Sequence, residues 1–92
     1  METEKYLISG RVQGVGFRAT AQSIAKQMGL SGSVANLSSG DVAIELQGNR
    51  QERDDFFKNL KNSQQNRALQ IDTIESQGIT DKEDYRRFLI KH

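Results

Sequence analysis

The segment Gly10-Arg11-Val12-Gln13-Gly14-Val15-Gly16-Phe17-Arg18 sets three glycines and two arginines between a strand-like run and a helix-like one. Arg18 falls where that helix begins, against the local electrostatics. A helix N-terminus is already positive, and an exposed cation there costs about 0.3–1 kcal/mol. A bound anion removes the conflict. Backbone N–H groups of Gly14, Val15, Gly16, Phe17 and Arg18 can turn inward together at a helix N-terminus. Helical side chains lean toward the N-terminus, so Arg18 can reach back over the loop. Its guanidinium fork then grips a phosphate-sized oxyanion through two bonds. Asn36 is the second residue of suitable chemistry. Its amide donates to one group and accepts from another, which suits it to hold a water in line with a bound phosphoryl group.

Plainer readings of the same residues stand beside this one. Gly10, Gly14 and Gly16 also suit a tight strand-to-helix turn with unusual dihedrals, and Asn36 is a common turn residue. Gly14 to Ala19 matches G-x-G-x-x-A, the dinucleotide fingerprint. That fingerprint belongs to a parallel sheet with an acidic residue ending the second strand, whereas here a hairpin follows and Asn36 occupies that region. No Gly-Lys-Ser/Thr follows the loop, which argues against nucleotide hydrolysis by the P-loop route.

The elements that would carry these residues read as follows. Lys5 to Val12 is a strand with Tyr6, Ile8 and Val12 on one face and Leu7 on the other. Phe17, Ala21, Ile24, Ala25 and Met28 recur at helical spacing, and Gly29 stops that helix. Ser33 to Leu37 is a second strand, Ser38 to Asp41 a turn, and Val42, Ile44 and Leu46 alternate with Ala43, Glu45 and Gln47 in a third. Asn49 with Glu52 makes a capping box for a second helix with Phe56, Phe57 and Leu60 as its apolar stripe. The polar run Asn62 to Asn66, with its Gln64-Gln65-Asn66 cluster, ends it as a loop. Leu69 to Glu75 is a fourth strand and Tyr85 to Ile90 a short last one. The order is β-α-β-β-α-β plus a terminal strand, an α+β fold of ferredoxin-like plan: one antiparallel sheet with two helices on one face. There the third strand lies between the parallel first and second, so these are roughly 10 Å apart. The glycine-bearing loop and Asn36 then meet at one sheet edge.

Bulk properties narrow the function. A chain of 92 residues is expected to form one domain, 1–92. Thirteen basic residues against twelve acidic leave a formal charge of +1, short of the basic excess of a dedicated nucleic-acid or anionic-membrane binder. There is no cysteine, which excludes disulfides, a thiolate nucleophile and cysteine-based metal centres. The one histidine, His92, is the last residue and a poor candidate for catalysis or metal binding. Acids near the start do not suit a signal peptide, and no run is long enough to span a membrane, so the expected location is the cytoplasm and the expected state a monomer. Asp54-Asp55 reads as a solvated helix face, Asp81, Glu83 and Asp84 as an acidic loop, and Arg86-Arg87 as charges that guard an edge strand.

With those residues in view, the sequence resembles the acylphosphatase family. The resemblance rests on Gly10 to Arg18, on Gly32-Ser33-Val34-Ala35-Asn36-Leu37, on Gly40, Val42 and Gln47-Gly48, and on Tyr85-x-x-Phe88-x-Ile90. It implies hydrolysis of the carboxyl–phosphate bond of small acyl phosphates such as acetyl or carbamoyl phosphate, with no metal or cofactor. By position it makes Arg18 the phosphate-binding arginine and Asn36 the residue that orients the attacking water. Gln13, Gly14, Val15, Gly16, Phe17 and Arg18 become the phosphate-binding loop. Three positions depart from common family residues: Ser33 stands where Trp is frequent, Ala19 where a bulky residue is frequent, and Ser39-Gly40 where Asp-Gly is frequent. The same plan also serves RNA-binding and regulatory modules. RNA-recognition sheets display stacking aromatics, whereas Ala43, Glu45 and Gln47 offer none. The nearer alternative is a phosphate- or acyl-phosphate-binding sensor that keeps the cradle and lacks turnover.

Overall fold

A computed structural model describes residues 2–63, 68–80 and 84–91. The Gln64-Gln65-Asn66 cluster, Asp81, Glu83 and His92 lie outside them. The elements are β1 (Thr3–Arg11), α1 (Phe17–Met28), β2 (Ser31–Asn36), β3 (Val42–Gln47), α2 (Arg50–Lys61), β4 (Gln70–Thr80) and β5 (Phe88–Lys91). They build one sheet of order β4-β1-β3-β2-β5. β1 pairs antiparallel with β3 and β4, and β2 antiparallel with β3, so β1 and β2 run parallel on either side of β3. β5 is added parallel to β2, with Val34 opposite Ile90. The four-strand antiparallel frame is thus as expected, and the appended strand makes that edge mixed.

Period-two alternation decides which side of the sheet is buried. Tyr6 and Ile8 of β1, Val34 of β2 and Val42, Ile44 and Leu46 of β3 form a single core with Phe17, Ala21 and Ala25 of α1 and Phe56, Phe57 and Leu60 of α2. Both helices lie on that face. Full burial of a side chain such as Phe17 contributes about 1.5–3 kcal/mol, which anchors the first turn of α1. The helix stops at Gly29, whose N–H reaches the carbonyls of Ala25 and Lys26. At the start of α2, Asn49 Oδ1 accepts from Glu52 N at 2.8 Å and Glu52 Oε1 from Asn49 N at 2.9 Å, a complete capping box. Phe57 meets Tyr6 edge-on at 4.6 Å and Phe56 lies 6.2 Å from Phe88, tying α2 to β1 and β5.

Two strands differ from their sequence pattern. β4 runs on to Thr80, with bulges in its pairing with β1 between Lys5 and Tyr6 and between Ser9 and Gly10. Each bulge inserts a residue and breaks the alternation that marks a strand. β5 begins only at Phe88. Tyr85 instead lies before the strand, buried, with its N–H and carbonyl both held by the Gln47 side-chain amide at 3.0 and 2.9 Å. Arg86 and Arg87 therefore precede the strand rather than decorate it, and both are exposed. Among the described residues no helix is long and apolar enough to cross a membrane.

Candidate active site

Between β1 and α1 the backbone changes sign repeatedly. Gly14 and Gly16 have φ of 73° and 77°, while among the described residues no residue other than glycine has positive φ. Alternation of that kind aims consecutive N–H groups into a common concavity. Gly16 is also the N-cap of α1, and no side chain caps it; the first turn holds no acid. α2, by contrast, closes its own N-terminus with Asn49 and Glu52. The α1 end is therefore the one that presents donors outward.

A cavity of about 240 Å³ opens on that end, lined by Val12, Gly14, Gly16, Phe17, Arg18, Ala19, Asn36 and Ile90. Arg18 is the second residue of α1 and half-buried. Of the lining side chains it alone is ionisable, so the cavity is positive. Its neighbour Phe17 is 1% exposed and fixes the turn from which the guanidinium projects. Asn36 ends β2, two residues beyond the fully buried Val34, which by strand parity puts it on the helix-bearing face at the sheet's end. The two candidate catalytic residues, far apart in sequence, thus share one cavity wall.

Within the predicted phosphate loop, Gly14, Gly16, Phe17 and Arg18 line the cavity. Val15 packs against the core instead. The Gln13 side chain turns away to the β2–β3 turn, its Nε2 donating to the carbonyls of Leu37 at 2.7 Å and Asp41 at 2.8 Å. Val12 and Ile90 complete the wall and had no chemical signal in the sequence; Ile90 arrives only because β5 pairs parallel to β2. Ala19 is exposed where it lines the cavity. Ser33 is buried on the other side of the sheet, its Oγ 3.2 Å from the Tyr85 hydroxyl.

The other ionisable cluster sits at the opposite end of β1. Arg53, 4% exposed, donates to the Gly48 carbonyl at 2.6 Å and the Tyr6 hydroxyl at 3.2 Å, and pairs with Glu2 and Glu4, each at 3.4 Å. These charges are spent on one another, and they join the first strand to α2. Asp54 is exposed and Asp55 accepts from Gln51 at 2.9 Å, as a solvated helix face should. Of the acidic-loop positions only Asp84 is described, and it is exposed.

Known proteins share this frame. Residues 4–90 match the acylphosphatase family. An acylphosphatase of Koribacter versatilis is 38% identical over 90 residues, covering 98% of this chain and 80% of that protein. One from Lactobacillus gasseri is 37% identical, covering 98% of each. The crystal structure of acylphosphatase from Bacillus subtilis aligns over 100% of both chains, with a TM-score of 0.87 at 30% identity.

Proposed function

The chain belongs to the acylphosphatase family, enzymes that hydrolyse acid anhydrides of acyl phosphate type, and we propose a specific division of labour for its reaction. All 92 residues act as one catalytic domain, a cytoplasmic monomer that takes a small acyl phosphate. The phosphoryl group of the substrate sits in the concavity formed by the backbone N–H groups of the Gly14 to Arg18 loop. The Arg18 guanidinium neutralises its remaining charge. Asn36 holds a water opposite the acyl oxygen. That water attacks phosphorus in line, the P–O bond to the acyl group breaks, and the carboxylate leaves with the bonding pair. The proton released by the water passes to a phosphoryl oxygen, since the cavity lining holds no carboxylate or imidazole to take it.

This chemistry asks little of the protein beyond placement. A carboxylate is a good leaving group, and phosphoryl transfer is driven mainly by positioning and electrostatic stabilisation. The lining offers neither a nucleophile for a covalent intermediate nor a carboxylate or imidazole to hold a metal. The reading rests chiefly on one observation: Arg18, the donor-rich α1 terminus and Asn36 line the same cavity.

The test is hydrolysis of benzoyl phosphate with excess chelator, by the unmodified chain beside Arg18→Ala and Asn36→Ala. Turnover should persist in chelator and fall by about 10²–10³-fold or more in each variant, the usual cost of one preorganised stabilising donor. Arg18→Ala should also weaken competitive inhibition by inorganic phosphate, and Asn36→Ala should leave it largely intact. A folded chain that binds phosphate without turnover would make the protein a sensor instead.

A further inference from the structure

The cradle and Asn36 belong to strands that do not touch. β1 leads into the loop, β2 ends at Asn36, and β3 separates them. Beyond Val42, where β3 begins, that strand no longer sets their spacing. The Gln13 side chain spans the gap. Gln13 immediately precedes Gly14, and its amide donates both hydrogens, to Leu37 O at 2.7 Å and to Asp41 O at 2.8 Å. Two carbonyl partners leave no doubt over which end of the amide faces them, because only the NH2 group donates.

The two carbonyls are the hinge points of the β2–β3 turn. Leu37 O also accepts from Gly40 N at 3.1 Å, and Asp41 O from Leu37 N at 2.9 Å. Gln13 therefore grips the turn at both sides of its closure, one residue beyond Asn36. The covalent and hydrogen-bonded path from cradle to Asn36 is short: Gly14, Gln13, the Leu37 carbonyl, Asn36.

We propose that Gln13 is a positioning residue that fixes Asn36, and the water it orients, relative to the phosphate cradle. This builds on the acyl-phosphate hydrolysis proposed above and gives the Gln13 side chain a task other than binding phosphate. Misplacement of a reacting group by about 1 Å costs on the order of 10²-fold in rate. Loss of Gln13 should therefore lower kcat with little change in phosphate binding, since the loop amides and Arg18 remain.

The experiment measures kcat for benzoyl phosphate and the inhibition constant of inorganic phosphate in Gln13→Met, which keeps length and removes both donors. Gln13→Asn, one methylene shorter, serves as a second variant should Gln13→Met not fold. The expected result is a kcat lower by about 10–10²-fold with phosphate inhibition within about threefold of the unmodified chain. Made in the Asn36→Ala background, the same change should cost less than about threefold further, because Gln13 acts through Asn36. An unchanged kcat, an equal loss in both backgrounds, or phosphate binding weakened as in Arg18→Ala would each overturn the proposal. Failure of the underlying hydrolysis reading looks different: the unmodified chain would then show no turnover, or Asn36→Ala would retain it all.

Discussion

Gly14 isolates the contribution of backbone shape to the cradle. Its φ is 73°, and a Cβ built on it would have no atom within 4 Å. Gly14→Ala therefore meets no steric block, and its penalty is conformational alone. The left-handed region costs an alanine about 1–2 kcal/mol. A smaller unfolded-state entropy returns about 0.4–1 kcal/mol, so the net loss is about 1 kcal/mol. In a chain of this size that lowers Tm by about 4–8 °C. Gly14→Asn should lose roughly half as much, because asparagine tolerates the left-handed region better. The alanine variant can relieve its strain by returning φ to negative values, which turns an N–H out of the concavity. One lost hydrogen bond to a charged oxygen is worth about 1.5–3 kcal/mol, so inhibition by phosphate should weaken about tenfold or more. Urea unfolding followed by fluorescence or circular dichroism gives the first quantity, and inhibition of benzoyl phosphate hydrolysis the second. If Gly14→Ala were as stable as the unmodified chain and as sensitive to phosphate, the alternating backbone would have no part in binding.

Three further outcomes follow from elements away from the cavity. Arg53→Met strands the Gly48 carbonyl and takes a donor from the Tyr6 hydroxyl and from Glu4. It should cost about 2–3 kcal/mol in urea unfolding while the activity of the folded fraction stays unchanged. Asn49→Ala removes the α2 capping box and should cost about 1 kcal/mol by the same assay. Burial, and then the hydrogen bond to Glu4, push the Tyr6 hydroxyl up from 10.0 to about 12. The folded chain thus keeps a proton that the unfolded chain gives up, so this contribution is complete below pH 10 and is lost as pH rises from about 10 to 12. Unfolding free energies at pH 9 and pH 11 should differ more in the unmodified chain than in Tyr6→Phe.

How far the sequence revealed the molecule depends on how local each signal was. α1 was legible to the residue, from Phe17 to Met28, because its apolar stripe and Gly29 stop are local. The α2 start was legible for the same reason, through Asn49 and Glu52. β4 was read too short because the bulge at Gln77 breaks the alternation just beyond Glu75, although Ser76 and Gly78 still pair with Tyr6 and Lys5. Tyr85 carried a strand-like pattern with Phe88 and Ile90, yet its backbone is bound by the Gln47 side chain, a partner 38 residues away that no local pattern announces. At the site, Arg18 stood out by breaking the dipole rule, and Asn36 by its position in the topology. The side-chain role of Gln13 was hidden, because it depends on two carbonyls of a distant turn.

The most direct test of attack at phosphorus is to follow the oxygen. Hydrolysis of benzoyl phosphate by the unmodified chain in ¹⁸O-labelled water should place the label in inorganic phosphate and leave benzoate unlabelled. Label in benzoate would mean that water attacks the carbonyl carbon, and that the cavity of Arg18 and Asn36 does not align water with phosphorus.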